Sequence, residues 1–135
     1  MKTLLRASSF AAITAGVILV VGGAWATAFT YKNIAQENIT TTQDASIPNA
    51  PVRGPLTLKS EADVIRKHTL EQTGNTVYAD MDRDDERKEL WLTATTLTTA
   101  LHLGVITYLF SGLIILFGAI SIWTGVVFYA LSKKY

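Results

Sequence analysis

Two long apolar runs dominate the hydrophobic pattern of this chain, one near each end. No charged residue occurs from Phe10 to Phe29 or from Leu103 to Ser132. A membrane-spanning helix needs about 20 predominantly apolar residues, and the second run is long enough to tilt in a bilayer. Because a chain of 135 residues has no core that could bury two such helices, the pattern predicts two membrane spans.

Small residues recur every seven positions within both runs. In the first run they are Ser9, Gly16, Gly23 and Thr30, and in the second they are Gly104, Ser111, Gly118, Gly125 and Ser132. A period of seven keeps one seam of a helix facing a partner helix with a left-handed crossing. In lipid, small residues on such a seam let helix backbones approach closely. These positions are therefore predicted to form a helix-packing interface.

An antiparallel arrangement of the two spans brings the two seams into register. Aligned by depth, the predicted pairs are Ser9 with Gly125, Gly16 with Gly118, Gly23 with Ser111, and Thr30 with Gly104. The register predicts a tight left-handed hairpin with helix axes about 8 Å apart. The alternative is that the seams face other subunits, which would leave the paired residues well apart.

Basic residues flank the two runs on their outer ends, at Lys2, Arg6, Lys133 and Lys134. The positive-inside rule then predicts a two-pass protein of the plasma membrane with both termini cytoplasmic and residues of about 32 to 88 extracytoplasmic. The other interpretation of the first run is a cleavable signal peptide, with Ala24-Trp25-Ala26 as its cleavage site. The apolar run continues beyond that site to Tyr31, which favours a retained signal anchor.

The predicted organisation has four parts: an N-terminal transmembrane helix (1–31), an extended strap (32–59), a short helix and turn (60–82), and a long C-terminal helix that includes the second span (83–135). The strap is rich in Pro and Thr and poor in large apolar groups. The fold class predicted is thus an all-α membrane protein, an antiparallel transmembrane hairpin with a partly helical extracytoplasmic segment.

Capping signals set the predicted bounds within the connecting segment. Ser60 followed by Asp63 resembles a capping box, and Gly74 with Asn75 after it is a typical left-handed helix stop. The helix between them is expected from about Glu61 to Thr73. The long C-terminal helix is expected to start at an aspartate cap, Asp82 or Asp84.

The sequence indicates packing far more clearly than chemistry. The net charge is +1 and there is no cysteine, which excludes disulfides, thiolate catalysis and cysteine metal sites. Asp80, Asp82, Asp84 and Asp85 resemble the start of a calcium loop, but the EF-hand pattern fails, since its twelfth position is Trp91. A looser cation site there stays open. No basic patch predicts nucleic-acid binding, and no catalytic residue, cofactor, metal site or small-molecule substrate is predicted.

His68 and His102 are the only histidines, 34 positions apart. They leave open an alternative in which the chain is an enzyme or binds a metal or haem. A further alternative is a stand-alone envelope scaffold or sensor acting through the connecting segment. Neither apolar run contains a charged residue of the kind that proton relays and ion paths use, which argues against a transporter acting alone.

Residues 62–84 carry a family resemblance, through Ala62-Asp63-Val64-Ile65, His68, Leu70-Glu71, Thr73-Gly74 and the stretch from Thr76 to Asp84. They resemble a family of small actinobacterial membrane proteins often named "aromatic ring-opening dioxygenase", similar over most of the chain. The sequence departs from that family at Asn75 and Asp85, where glycine and proline are expected. A dioxygenase iron site would need two histidines and a carboxylate on one face, so the name does not fit these residues.

The resemblance also implies a kind of partner. Such proteins look like the small accessory subunits around actinobacterial respiratory complexes such as the cytochrome bcc–oxidase supercomplex. The leading hypothesis is therefore a non-catalytic accessory subunit that docks in the lipid bilayer on larger integral membrane subunits.

Overall fold

A computed structural model describes residues 1–134 as an all-helical chain. Helix α1 spans Lys2–Gln36, α2 spans Pro55–Gln72, and α3 spans Arg87–Lys134, with a single 3-10 turn at Tyr78–Asp80. Helices α1 and α3 are both long and apolar enough to cross a membrane. The predicted fold class is confirmed. The chain divides into two compact units, described separately below.

The helix-pair unit consists of Met1–Phe29 from α1 and the chain from Leu109 onward in α3. Every buried residue described in this unit is glycine or serine, and the buried positions recur every seven residues: 9, 16 and 23 on α1, and 111, 118, 125 and 132 on α3. The two helices therefore meet along one narrow seam of small residues. The glycines of each helix are contacted by branched side chains of the other: Ile13 and Val20 of α1, and Ile115 and Ile122 of α3.

The central unit spans Thr30–Tyr108 and has a small core of its own. Val52, Leu58 and Ala62 are each 1% exposed and pack with Leu101 of α3. Five partly buried residues surround them: Ile34, Ile39, Ile65, Val105 and Tyr108. The core joins the end of α1, the start of α2 and the first half of α3, so the connecting segment is folded onto both long helices.

Helix α2 begins at Pro55. The predicted start at Glu61, six residues later, is therefore wrong. Proline suits the first helical position because its missing N–H would have no partner there. The Thr57 hydroxyl accepts hydrogen bonds from the backbone N–H groups of Arg53 and Gly54, at 3.1 and 3.2 Å. Ser60 is not a cap: it is buried inside the helix, and its hydroxyl accepts a hydrogen bond from the Ile47 N–H at 3.0 Å.

The segment predicted as an extended strap over 32–59 is shorter than expected, because α1 continues to Gln36 and α2 starts at Pro55. The remaining residues form a closed loop. Thr40 and Pro51 form an isolated antiparallel bridge. The Thr41 hydroxyl donates to the Ile47 carbonyl at 2.5 Å and accepts from the Ala50 N–H at 2.9 Å. The loop thus satisfies its own polar groups.

The predicted stop at Gly74 and Asn75 is confirmed. Both residues have positive φ, 63° and 59°, and glycine adopts this left-handed conformation at little cost. The N–H groups of Gly74 and Asn75 donate to the carbonyls of Glu71 and Leu70, at 3.3 and 2.8 Å. This pair of bonds is a Schellman motif.

Helix α3 begins at Arg87, and its cap is neither Asp82 nor Asp84. Asp85 instead accepts the Arg87 backbone N–H at 2.9 Å. The Arg87 guanidinium donates to the Asp85 carboxylate and also to the Thr73 carbonyl at 3.0 Å. The Trp91 indole donates to the Thr76 carbonyl at 3.0 Å. The link after α2 is therefore fixed to the start of α3.

Candidate functional site

The small-residue seam brings backbone against backbone at its middle. A Cβ atom built on Gly16 would lie 2.6 Å from the Gly118 carbonyl oxygen, and one built on Gly118 would lie 2.8 Å from the Gly16 carbonyl oxygen. Real Cβ atoms are essentially never found so close to another atom. Only glycine fits at these two positions without a shift of the backbone.

The seam continues in the predicted register on both sides of that crossing. A Cβ atom on Gly23 would lie 3.0 Å from the Ser111 carbonyl oxygen. At the other end, the Ser9 hydroxyl donates a hydrogen bond of 2.7 Å to the Gly125 carbonyl. These contacts make the two helices antiparallel within the helix-pair unit.

The pair predicted between Thr30 and Gly104 falls in the central unit, and there other side chains approach Gly104. A Cβ atom on Gly104 would meet Leu58 at 3.0 Å and Ile34 at 3.5 Å. The small residue at this position makes room for the Leu58 side chain from α2. Sequence periodicity carries no information about such an insertion, because α2 lies outside both seams.

One polar contact of the helix pair was missed by the seven-residue pattern. The Ser121 hydroxyl donates to the Ala12 carbonyl at 2.8 Å. Ser121 lies three residues after Gly118 and so borders the same helix face. The signal that would have found it is the combination of a small polar residue with this spacing from the seam.

The two histidines lie in different surroundings. His68 shares the Asp44 carboxylate with Lys67, through contacts of 2.8 and 2.9 Å. These bonds hold the pKa of Asp44 well below its usual range, Lys67 being the larger cause and His68 the next. His102 lines a separate small pocket of about 150 Å³ together with Arg66 and Trp91.

One aspartate of the acidic cluster after α2, Asp85, caps the start of α3. The Arg87 guanidinium lowers the pKa of Asp85 to about 2, first through side-chain hydrogen bonds and then through the backbone N–H of the same residue. Within residues 1–134, no group of three or more His, Asp or Glu side chains has a geometry that could hold a metal ion.

A concave feature of the central unit is an apolar groove of about 530 Å³. It is formed by the end of α1, one face of α2 and the first half of α3, and its lining residues are Asn33, Ile34, Glu37, Ile39, Leu58, Glu61, Ile65, Leu97, Ala100 and Leu101. No sequence pattern predicts this groove, because residues of three helices and the loop form it together.

Glu61 brings a carboxyl group into this apolar groove. Its Oε2 atom is buried and has no hydrogen-bond partner among the described residues. Burial raises the pKa of Glu61, the charge of Asp44 raises it further, and His68 opposes both. A buried carboxylate without a partner is costly, so this atom marks a position where a hydrogen-bond donor would be favourable.

Fold and site together define a class: an all-helical protein with two helices of membrane-spanning length and composition. No family model, no curated protein and no solved structure matches the chain.

Proposed function

We propose that this chain is a two-pass membrane protein that serves as a non-catalytic accessory subunit of a larger membrane complex. The observation that carries the proposal is the exposure of the helix pair. In the most apolar window of each long helix, only 11% of the residues are buried within the chain. Large apolar side chains lie exposed on both, including Phe10, Trp25, Phe117 and Trp123 at 79, 68, 61 and 71%.

Such surfaces require a covering of lipid or of other apolar helices. The antiparallel contacts put Ser9 beside Gly125, so the basic ends of both helices lie at one end of the pair. That arrangement agrees with the positive-inside rule if both termini are cytoplasmic. The central unit then lies on the extracytoplasmic side, and the first helix is a signal anchor.

The first half of α3 supports contact with another protein. Leu92 lies in the stretch before the second apolar run, and it remains 56% exposed. At the start of α2, Leu56 is 72% exposed. Exposed apolar groups outside a membrane span favour a protein partner. The resemblance of residues 62–84 to small actinobacterial membrane proteins supports a respiratory complex as that partner.

The test is purification of the tagged full-length chain from its native membrane, followed by crosslinking mass spectrometry. The expected result is retention in the membrane after a carbonate wash, with crosslinks from residues 56–92 to a larger integral membrane protein. A matched variant, Leu56→Glu with Leu92→Glu, should lose partner capture while staying in the membrane. Release of the wild-type chain by carbonate would contradict the membrane assignment, and a lone monodisperse protein without crosslinks would contradict the accessory role.

A further inference from the structure

The apolar groove of the central unit has the size of a ligand site. Its volume of about 530 Å³ lies within the range of roughly 300–1,000 Å³ found for small-molecule pockets. Most of its wall is aliphatic, with Ile34, Leu58, Ile65 and Leu97 among the lining residues. The wall therefore favours a flexible apolar group, which gains by leaving water without needing specific hydrogen bonds.

One polar atom defines what else the occupant must carry. Glu61 Oε2 is buried at the groove and lacks a hydrogen-bond partner among the described residues. Buried polar atoms are almost always paired in folded proteins, and pairing with an ionised group makes the strongest hydrogen bonds. Glu37 adds a second carboxyl group to the same lining. The occupant that complements this charge is cationic and has N–H groups to donate.

The position of the groove along the helices points to the source of such a molecule. On α1 the lining starts at Asn33, directly after Lys32, the first charge that follows the apolar run. On α3 it ends at Leu101, directly before His102, after which no Asp, Glu, Lys, Arg or His occurs until Lys133. In a bilayer, these positions are level with lipid headgroups.

We propose that this groove binds one phospholipid with a primary ammonium headgroup, whose acyl chain fills the apolar wall and whose ammonium donates a hydrogen bond to Glu61. The proposal rests on the membrane insertion argued above. It accounts for both unusual properties of the site, the unfilled apolar volume and the carboxylate without a partner. It also excludes anionic lipids as preferred ligands, since Glu37 and Glu61 repel them.

The test compares two lipids that differ only in the methylation of the headgroup nitrogen. The purified full-length chain is exchanged into micelles with dioleoyl phosphatidylethanolamine or dioleoyl phosphatidylcholine, and bound lipid is measured by native mass spectrometry. The ethanolamine lipid should be retained about tenfold more strongly, the effect of one charge-assisted hydrogen bond. Choline carries no N–H and cannot make that bond.

Two variants and one control separate the contribution of the lipid headgroup from that of the acyl chain. Glu61→Leu should abolish the preference, whereas Glu71→Leu, at an exposed carboxylate of the same helix outside the groove, should keep it. Ala100→Phe fills the groove and should reduce retention of both lipids. The comparison of the two lipids on the wild-type chain needs no variant, so it stands even if a variant misfolds.

Equal retention of the two lipids by the wild-type chain would overturn the proposal, as would stronger retention of phosphatidylglycerol or unchanged binding in Ala100→Phe. Occupation of the groove by a protein segment, detected as protein rather than lipid crosslinks from a photoreactive residue at position 97, would overturn it as well. Resistance to a carbonate wash and partner capture are scored separately on the same preparation, so failure here is distinguishable from failure of the proposed function.

Discussion

Gly16 of α1 and Gly118 of α3 approach so closely that a methyl group on either would lie within 3 Å of the other's carbonyl oxygen. The atoms in the way include the Ile122 and Val20 side chains, but also backbone atoms of the facing helix, which cannot turn aside as a flexible side chain can. The crossing of the two long helices is therefore fixed by the absence of side chains at this point. It also provides matched controls, because Gly22 and Gly112 have no atom within 4 Å of a built Cβ.

Alanine substitutions at a seam glycine and at a control glycine should change the free energy of unfolding in opposite directions. Gly118→Ala forces the helices apart and should destabilise the chain by about 1–3 kcal/mol, as overpacking usually does. Gly112→Ala adds a methyl group in open space and should stabilise it by up to about 1 kcal/mol through helix propensity. Reversible unfolding in mixed micelles measures both. Equal effects of the two substitutions would contradict the seam as the packing interface.

The hydrogen bond from Ser9 to Gly125 predicts a cost for losing a hydroxyl between the helices. Ser9→Ala removes the interhelical donor, while the Gly125 carbonyl keeps its backbone bond within α3. The loss should cost about 0.6–2 kcal/mol in the same unfolding measurement. Thr124→Ala is the control, since the Thr124 hydroxyl bonds to the Ile120 carbonyl of its own helix. A larger loss in Thr124→Ala than in Ser9→Ala would argue against the interhelical bond.

Glu61 predicts a pH dependence of stability with a definite sign. Its pKa is raised in the folded state by burial, so between the unfolded and folded pKa values the folded chain holds more protons. Its contribution to stability is then greatest below the unfolded pKa and is lost as pH rises through the raised folded value. Asp44, whose pKa is lowered, contributes in the opposite direction.

The Glu61 contribution is isolated as the difference between wild type and Glu61→Gln, followed as the unfolding midpoint against pH. The variant should gain stability relative to wild type as pH rises above the ordinary glutamate range. Glu71→Gln, at an exposed position, should show no such trend. A difference that grows toward low pH would have the wrong sign. The measurement belongs in lipid-free detergent, because a bound ammonium would hold Glu61 in its charged form.

The proposed membrane topology can be tested by labelling single introduced cysteines, since the chain contains none of its own. A cysteine at Asp82 should react with a membrane-impermeant maleimide on intact cells, whereas a cysteine at Lys2 should react only after lysis. Both outcomes follow from basic residues held on the cytoplasmic side. Labelling of the Lys2 position on intact cells would indicate the opposite orientation. Labelling of neither site on intact cells would contradict an extracytoplasmic central unit.

Local signals were sufficient where the structure depends on near neighbours along one helix. The two long helices, their small-residue period and the Gly74–Asn75 stop are all visible in the sequence. Each depends on a repeat, a composition or a left-handed conformation that a few adjacent residues specify. For the same reason the sequence is sufficient to predict the seam pairs Ser9–Gly125, Gly16–Gly118 and Gly23–Ser111.

The start of α2 shows where such signals mislead. Ser60 and Asp63 have the spacing of a capping box, but Ser60 is buried and its hydroxyl serves the loop at Ile47 and Ser46. The helix begins instead at Pro55, where Thr57 holds the entering backbone. Which of the two starts the helix adopts depends on the closure of the loop over residues 37–54. That closure depends on contacts between residues distant in sequence, and no periodic pattern predicts them.

The sequence by itself thus determined two apolar helices and the seam along which small residues let them meet, because helix periodicity and residue size are local properties. Only the tertiary structure decided that Leu58 of α2 packs against Gly104, and that Glu61 is not the first residue of a helix but a carboxyl group without a partner in an apolar groove. Those outcomes depend on which side chains from separate segments fill the same space, and a linear pattern does not contain that information.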